Sequence, residues 1–322
     1  LPESMRSAGT SYTISTSPDS TTSSIYILVT CVAIFLVTSN TMRKWKEMRT
    51  VGTVLVGCSF LVAIVGPPCQ FSGSDLFLWF KEPHYRTQPF GSIGNPNHAA
   101  MYLNMSFGLA LGLLLAATKS SQWSALEDWK EKIAWLSTPK ASRISLLSFA
   151  AVVLGAATAV SLSRGGITAL SVGVGLVGLV AGFAAGGKKT TRIVGGVILL
   201  LLGLLTWLGL QPIIEEMGTL SAVNIPQESR TLVSMATLRI FLAAPIFGHG
   251  LGSFRFMFPG FRPAELTQMR WLNAHNDYAQ LLAESGVIGA AIFAVAVCLF
   301  IGHVWKRSSR TSSRGKLFLV GL

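Results

Sequence analysis

The stretch Trp271-Leu-Asn-Ala-His275-Asn276-Asp277-Tyr278-Ala-Gln280-Leu-Leu-Ala-Glu284 runs directly into Ser285-Gly286-Val-Ile-Gly-Ala-Ala-Ile-Phe-Ala-Val-Ala-Val-Cys-Leu-Phe-Ile-Gly-His-Val304. The second part contains no lysine, arginine, aspartate or glutamate over 20 residues. That is the length a helix needs to cross the hydrocarbon of a bilayer. The first part holds a histidine, two asparagines, two carboxylates, a tyrosine and a glutamine. A membrane span approached through a chemically rich segment is the unit from which the rest of the chain is read.

Outward from it, apolar runs near 24–41, 50–67, 98–117, 144–162, 167–186 and 193–210 join 285–304 as seven predicted spans, and an eighth begins at Leu317. Half of the residues are apolar, 12% are charged and the mean hydropathy is +0.53, the balance of an integral membrane protein. Each span is expected to be helical, because an open strand edge would leave backbone N–H and C=O groups unpaired in hydrocarbon. The expected fold is an all-α polytopic transmembrane bundle.

Orientation follows from the basic residues. Segments 42–49, 118–143, 187–192 and 305–316 carry four, five, three and five of them, 17 of the 26. Segments 1–23, 68–97, 163–166 and 211–284 share the other nine. The positive-inside rule makes the first set cytoplasmic, and the two sets alternate without exception. Residues 211–284 then form a large extracytoplasmic, periplasmic loop. The cytoplasmic set has only four acids, Glu47, Glu127, Asp128 and Glu131, which leaves it at +13, whereas the outer set sums to −1. The pI of 9.9 is therefore an orientation signal and an attraction to anionic membrane lipids, and nucleic acid is set aside as a partner.

Cys31, Cys58 and Cys298 fall within spans and only Cys69 outside them, so no disulfide is expected. The chain opens at Leu1 on a Ser/Thr-rich stretch without a basic leader and stops at Leu322 a few residues into a span. It is read as a fragment forming one integral membrane domain over 1–322. Gly108 and Gly112, and Gly182 and Gly186, have the spacing that lets helices approach closely. Gly248, Gly250 and Gly252 read as a turn after an apolar helix ending at Phe247, since no βαβ context supports a phosphate loop.

Three arginines on the outer side invite explanation, Arg164, Arg230 and Arg239. Arg164, in Ser163-Arg164-Gly165-Gly166, lies in a tight turn between spans. It faces either lipid phosphate by snorkelling or an anionic ligand. Arg230 opens an amphipathic helix expected to lie on or dip into the outer surface, with its apolar side at Leu232, Met235, Leu238 and Leu242. At a helix start, backbone N–H groups also favour an anion. Arg239, nine residues on, points the opposite way. If Asn273 caps the next helix, His275 lies in its first turn, where the dipole keeps imidazole neutral and able to take a proton. The alternative is a structural histidine bonded to a loop carbonyl. Glu284 is expected to orient a loop or cap a helix. In Gly94-Asn95-Pro96-Asn97-His98, the asparagines serve a helix start, with Asn97 as cap, or touch substrate.

No outer DxD pair or histidine pair has ligand spacing, so neither metal nor cofactor is expected. Serine elbows, catalytic-cysteine contexts and P-loops are absent from the sequence. A transporter would carry ionisable groups at mid-span, but here charges fall in loops or at span ends. A scaffold that docks partners through 211–284 would have no need of His275 and two arginines at these positions.

Gly91-Ser-Ile-Gly94-Asn95-Pro96-Asn97-His98, Leu162-Ser163-Arg164-Gly165-Gly166, Arg230 before an amphipathic helix, Pro245-Ile-Phe-Gly248-His-Gly250-Leu-Gly252-Ser-Phe254, and Ala274-His275-Asn276-Asp277-Tyr278-Ala-Gln280-Leu-Leu-Ala-Glu284-Ser-Gly286 together resemble the O-antigen ligase and polymerase family. The resemblance covers roughly 90–304. It implies a glycosyltransferase of the C superfamily in the bacterial inner membrane. The donor would be a glycan on undecaprenyl diphosphate, and the acceptor the lipid A core or another hydroxyl. Arg164 and Arg230 would hold the diphosphate and His275 would act as the base. Asn95, Asn97, His98, Asn276 and Glu284 are candidate substrate or loop contacts.

Overall fold

The apolar runs fold as helices, and no strand accompanies them among the described residues. The structure, a computed structural model, describes residues 15–42, 44–72, 78, 89–119, 128–184, 195–199, 225–266 and 271–310. The helices are α1 (Pro18–Thr41), α2 (Trp45–Phe71), α3 (Pro96–Lys119), α4 (Trp129–Leu136), α5 (Pro139–Val160), α6 (Arg164–Ala184), α7 (Ile225–Ala243), α8 (Phe254–Phe261) and α9 (Asp277–Arg310), with a 3-10 turn at Ala264–Leu266. Residues 195–199 are also helical. Among the described residues, α1, α2, α3, α5 and α9 are each long and apolar enough to cross a membrane. The chain is an all-α, multi-pass membrane protein.

Local chemistry sets the helix ends. Pro139 stands at the start of α5, with Thr138 accepting from the Ala141 N–H at 3.3 Å, and Asp128 caps α4 through the Lys130 N–H at 3.3 Å. Helix α2 runs on to Phe71, so Cys69 is buried inside it and not in a loop as the hydropathy implied. Helix α6 takes in the predicted span 167–186 as far as Ala184, and 185–186 lie outside the described residues. The span at 193–210, except 195–199, and the start at Leu317 lie outside the described residues.

By its contacts the chain divides into two compact units, Leu1–Thr41 with Ala222–Trp305, and Met42–Ser221 with Lys306–Leu322. The second unit is a bundle with α3 and α5 at its centre. Its core joins Leu103, Phe107, Leu111 and Leu114 of α3 to Leu147, Ala151, Leu154 and Ala157 of α5. Small residues let α5 bury almost its whole C-terminal half, Ala150–Val160. Ser59 of α2 and Ser106 of α3 share a buried hydrogen bond of 2.7 Å. Ahead of α3, Phe90 and Ile93 exchange two backbone bonds of 2.8 and 3.1 Å, and the turn plugs the Phe90 ring against Gly66 of α2. Any side chain at Gly66 would overlap that ring.

In the first unit, the soluble-like core is Val233, Ala236 and Ile240 of α7, Phe254 and Phe258 of α8, Leu266, Ala274 and Ala283. Helices α1 and α9 touch through Phe35 and Phe300, whose ring centroids lie 5.9 Å apart. Only 0% and 6% of their apolar windows are buried within the protein, which leaves their side chains to the bilayer. Helix α9 is broken at Gly286 (φ 65°, ψ −171°), separating its polar head from its membrane-length part.

Candidate functional site

The turn that carries Arg164 is built from neutral polar groups. Leu162 takes a left-handed conformation (φ 55°). Ser163 then caps α6, its hydroxyl accepting from the Gly166 N–H at 3.1 Å and donating to the side-chain Oδ1 of Asn97 at 2.7 Å. Asn104, two turns further along α3, donates to the Gly166 carbonyl at 2.9 Å. A Cβ at Gly166 would overlap that of Ala100. Arg164, the first residue of α6, is half-buried. Two buried oxygens beside this turn, Asn104 Oδ1 and Gln70 Oε1, have no hydrogen-bond partner in the structure. Gln70 Nε2 donates to the Ser161 carbonyl at 3.4 Å.

The asparagines ahead of α3 divide the expected work differently. Pro96 is the first residue of α3, so Asn95 is the cap, its Oδ1 accepting from the Asn97 N–H at 2.9 Å. Asn97 is not the cap, as expected from sequence, but the partner of Ser163. His98, the next residue, is exposed. All of these residues belong to the second unit; Arg230, His275, Asn276 and Glu284 belong to the first.

In the first unit α7 begins at Ile225. Arg230 therefore lies in its second turn and not at the helix start, and its side chain falls outside the described residues. The packed side of α7 is Val233, Ala236, Thr237 and Ile240, whereas Met235, Leu238 and Leu242 are 60%, 52% and 63% exposed. Of the expected apolar stripe, Met235, Leu238 and Leu242 face outward, and Leu232 packs against the core of the unit. Arg239 is exposed as well.

After α7, which ends at Ala243 and not Phe247, the glycine turn closes on the break in α9. Gly248, Gly250 and Gly252 all have positive φ (69°, 100° and 73°). His249 N–H donates to Ala283 C=O at 3.1 Å and Gly250 N–H to Glu284 C=O at 2.8 Å, while Val287 N–H and Ile288 N–H donate to Pro245 and Ile246 carbonyls at 2.8 and 3.3 Å. The bonds lost at Gly286 are thus remade across the turn. Gly248 lies directly on the backbone of Glu284 and Gly286, with no room for a Cβ. His249 is buried, its Nε2 2.9 Å from Ile240 O.

Glu284, 7% exposed, is the organiser of this region. Its carboxylate accepts from Gly252 N–H at 2.6 Å, Phe254 N–H at 3.2 Å and Gln280 Nε2 at 3.0 Å. It stands in for the missing side-chain cap of α8, since the Ser253 hydroxyl makes no cap bond. Gln280 Oε1 accepts in turn from Ala274 N–H at 2.9 Å. The sequence expectation of a loop-orienting glutamate holds, and the loop it orients is the one that carries His275.

His275 itself is exposed and left-handed (φ 53°), a conformation that non-glycine residues adopt at a cost. The helix behind it starts at Asp277. Asn276 is its cap, accepting from Ala279 N–H at 3.1 Å. His275 therefore precedes the first turn, and the reading with Asn273 as cap is corrected. Trp271 packs edge-on to the imidazole, with centroids 5.3 Å apart, and its buried Nε1 lacks a hydrogen-bond partner. The geometry presents an imidazole at the rim of a loop fixed by a buried carboxylate. Among the described residues no three histidine, cysteine, aspartate or glutamate side chains converge.

Gln70 and Asn104 were not singled out from sequence. Asn104 had a readable signal: with Asn97 and Ala100 it falls at i, i+3 and i+7 on one face of α3.

Residues 149–294 match the model of the O-antigen ligase family. The chain carries an O-antigen ligase domain. The domain runs from α5 into α9 and includes Arg164, Arg230, His275, Asn276 and Glu284, while Asn95, Asn97 and His98 precede it. The matched stretch, just under half of the chain, is similar to O-antigen ligases. No curated protein and no solved structure matches the chain.

Proposed function

We propose that this chain transfers a glycan from undecaprenyl diphosphate to a hydroxyl acceptor at the periplasmic face of the bacterial inner membrane, ligating O-antigen to the lipid A core. The observation that carries this reading is the exposed, left-handed His275 within the O-antigen ligase match, its loop tied down through Gln280 and Glu284.

In this mechanism the bond between the anomeric carbon and the phosphate oxygen breaks, and its electron pair leaves with undecaprenyl diphosphate. The acceptor oxygen attacks from the opposite face, forming the new glycosidic bond with inversion. The His275 imidazole takes the hydroxyl proton as attack proceeds. Arg164 and Arg230 offset the charge that grows on the diphosphate, a task that guanidinium groups perform through paired N–H donors.

The test is transfer of a labelled undecaprenyl-diphosphate glycan to a lipid A core acceptor in liposomes, comparing wild type with His275→Ala. A glycan–lipid A product that falls by roughly 10²–10⁴-fold in the variant, with unchanged thermal unfolding, is the expected result. Elongation of the lipid-linked glycan instead would make the protein a polymerase, and transfer to a pilin-like protein an O-oligosaccharyltransferase. Full transfer by folded His275→Ala or Arg230→Ala protein would refute the mechanism.

A further inference from the structure

The opposite end of the α3 and α5 pair from the Arg164 turn holds a second constellation. Trp45 and Arg49 of α2, Leu113, Ala116 and Ala117 of α3, and Pro139, Lys140 and Arg143 of α5 line a cavity of about 310 Å³. Three of these residues are cationic and none is acidic. Arg49, Lys140 and Arg143 are each half-buried, and Arg143 Nη2 lies 3.4 Å from Thr53 Oγ1. Asn97 and Ala116 are 19 positions apart on α3, which places this cavity about 28 Å from the Arg164 turn. It is a separate site.

The cavity continues past Pro139 and Arg143 into a groove of about 660 Å³ between α2 and α5, lined by Val56, Gly57, Phe60, Leu146, Leu147 and Phe149 among others. Leu146 and Phe149 are 67% and 58% exposed on a helix of membrane-spanning length, so the groove opens toward hydrocarbon. From Pro139 to Ala150 it extends roughly 16 Å along α5. A cationic cup joined to a hydrocarbon-facing groove is complementary to a ligand with a phosphate at one end and an alkyl chain at the other. A soluble anion would leave the groove unused.

We propose that this end of α2, α3 and α5 binds an anionic phospholipid, with its phosphate on Arg49, Lys140 and Arg143 and one acyl chain in the α2–α5 groove. The basic segments 42–49 and 118–143 supply all three cations, so the lipid belongs to the leaflet that those segments face. It would tie the ends of three helices together at the level of its headgroup.

The experiment uses the full-length protein in phosphatidylcholine vesicles doped with either a photoreactive phosphatidylglycerol or a photoreactive phosphatidylcholine, both carrying the reactive group on an acyl chain. Labelling by the phosphatidylglycerol probe is expected to concentrate in peptides covering 53–60 and 142–150. It should fall about tenfold in an Arg49→Gln, Lys140→Gln, Arg143→Gln protein, in line with the loss of near-surface basic charges. Because that variant is exposed to misfolding, Gly57→Leu is the second arm. A side chain at Gly57 meets open space, so it fills the groove without displacing a neighbour. It should lower groove labelling while thermal unfolding stays unchanged. Equal labelling by the phosphatidylcholine probe, displacement by millimolar inorganic phosphate, or labelling indifferent to both variants would each overturn the proposal.

Discussion

Arg164 and His275 both stand at the heads of helices, α6 and α9, and each head is tied back by groups from its own unit, but the ties differ in kind. At Arg164 the tie is neutral: a serine hydroxyl to an asparagine amide, an amide to a carbonyl, and a glycine pressed on an alanine. At His275 it runs through one buried carboxylate that collects two backbone N–H groups and a glutamine. Neutral bonds contribute about 1 kcal/mol net, and bonds to a charged group about 1.5–3 kcal/mol. The first anchor is distributed over packing, whereas the second depends on a single ionised side chain and the glycine clasp beneath it.

The same substitution made in both anchors gives the sharpest contrast. Gly248→Ala meets backbone on the far side and a positive φ on its own, so nothing near it can yield. A loss of about 3 kcal/mol or more is expected, read as thermal unfolding in detergent. Glu284→Ala comes next: it strands the Gly252 and Phe254 N–H groups and releases Gln280, at about 3 kcal/mol. Transfer should fall further than stability alone explains, because the His275 loop loses its tether. Gly166→Ala meets only the methyl of Ala100 and the Ser163 side chain. It should cost about 1–2 kcal/mol and be largely restored by Ala100→Gly, a coupling that a double-mutant cycle measures. Smallest is Asn97→Ala, about 1 kcal/mol, with Ser163 still capping α6. Were Gly166→Ala as damaging as Gly248→Ala and not rescued, the two anchors would be equivalent and the contrast would be lost.

Much of the architecture was legible because a membrane helix announces itself by composition alone. The runs at 24–41, 50–67, 98–117 and 285–304 each lie within a helix of the structure, and 144–162 outruns its helix by two residues. Their ends were less legible, since polar residues extend the helices beyond the apolar window. Thus α1 starts at Pro18 and α9 at Asp277. Where several asparagines compete to cap, position decides, and Pro96 already marked Asn95 by its preference for the first helical turn. No comparable marker separated Asn273 from Asn276, so His275 was displaced by a turn in the reading.

The stripe expected on α7 stands out of the protein at Met235, Leu238 and Leu242, whereas the core of the unit takes a different side of the helix, joined by Leu232. Helical periodicity finds a side with large apolar residues, but Val233, Ala236, Thr237 and Ile240 pack inward because small side chains admit the α8 phenylalanines. The role of Glu284 was readable in outline, but its partners Gly252 and Phe254 lie 32 and 30 positions upstream, beyond any local pattern.

The clasp between the glycine turn and the α9 break has a wider consequence. Four backbone hydrogen bonds hold Pro245–Gly250 to Ala283–Ile288, so the chain between them leaves and returns at one point. Closure entropy grows only slowly with the length of such an excursion. The segment bearing α8, Trp271 and His275 is therefore an excursion closed at its base. A change of length in its exposed stretches leaves these four bonds, and with them the footing of the span beyond Gly286, in place.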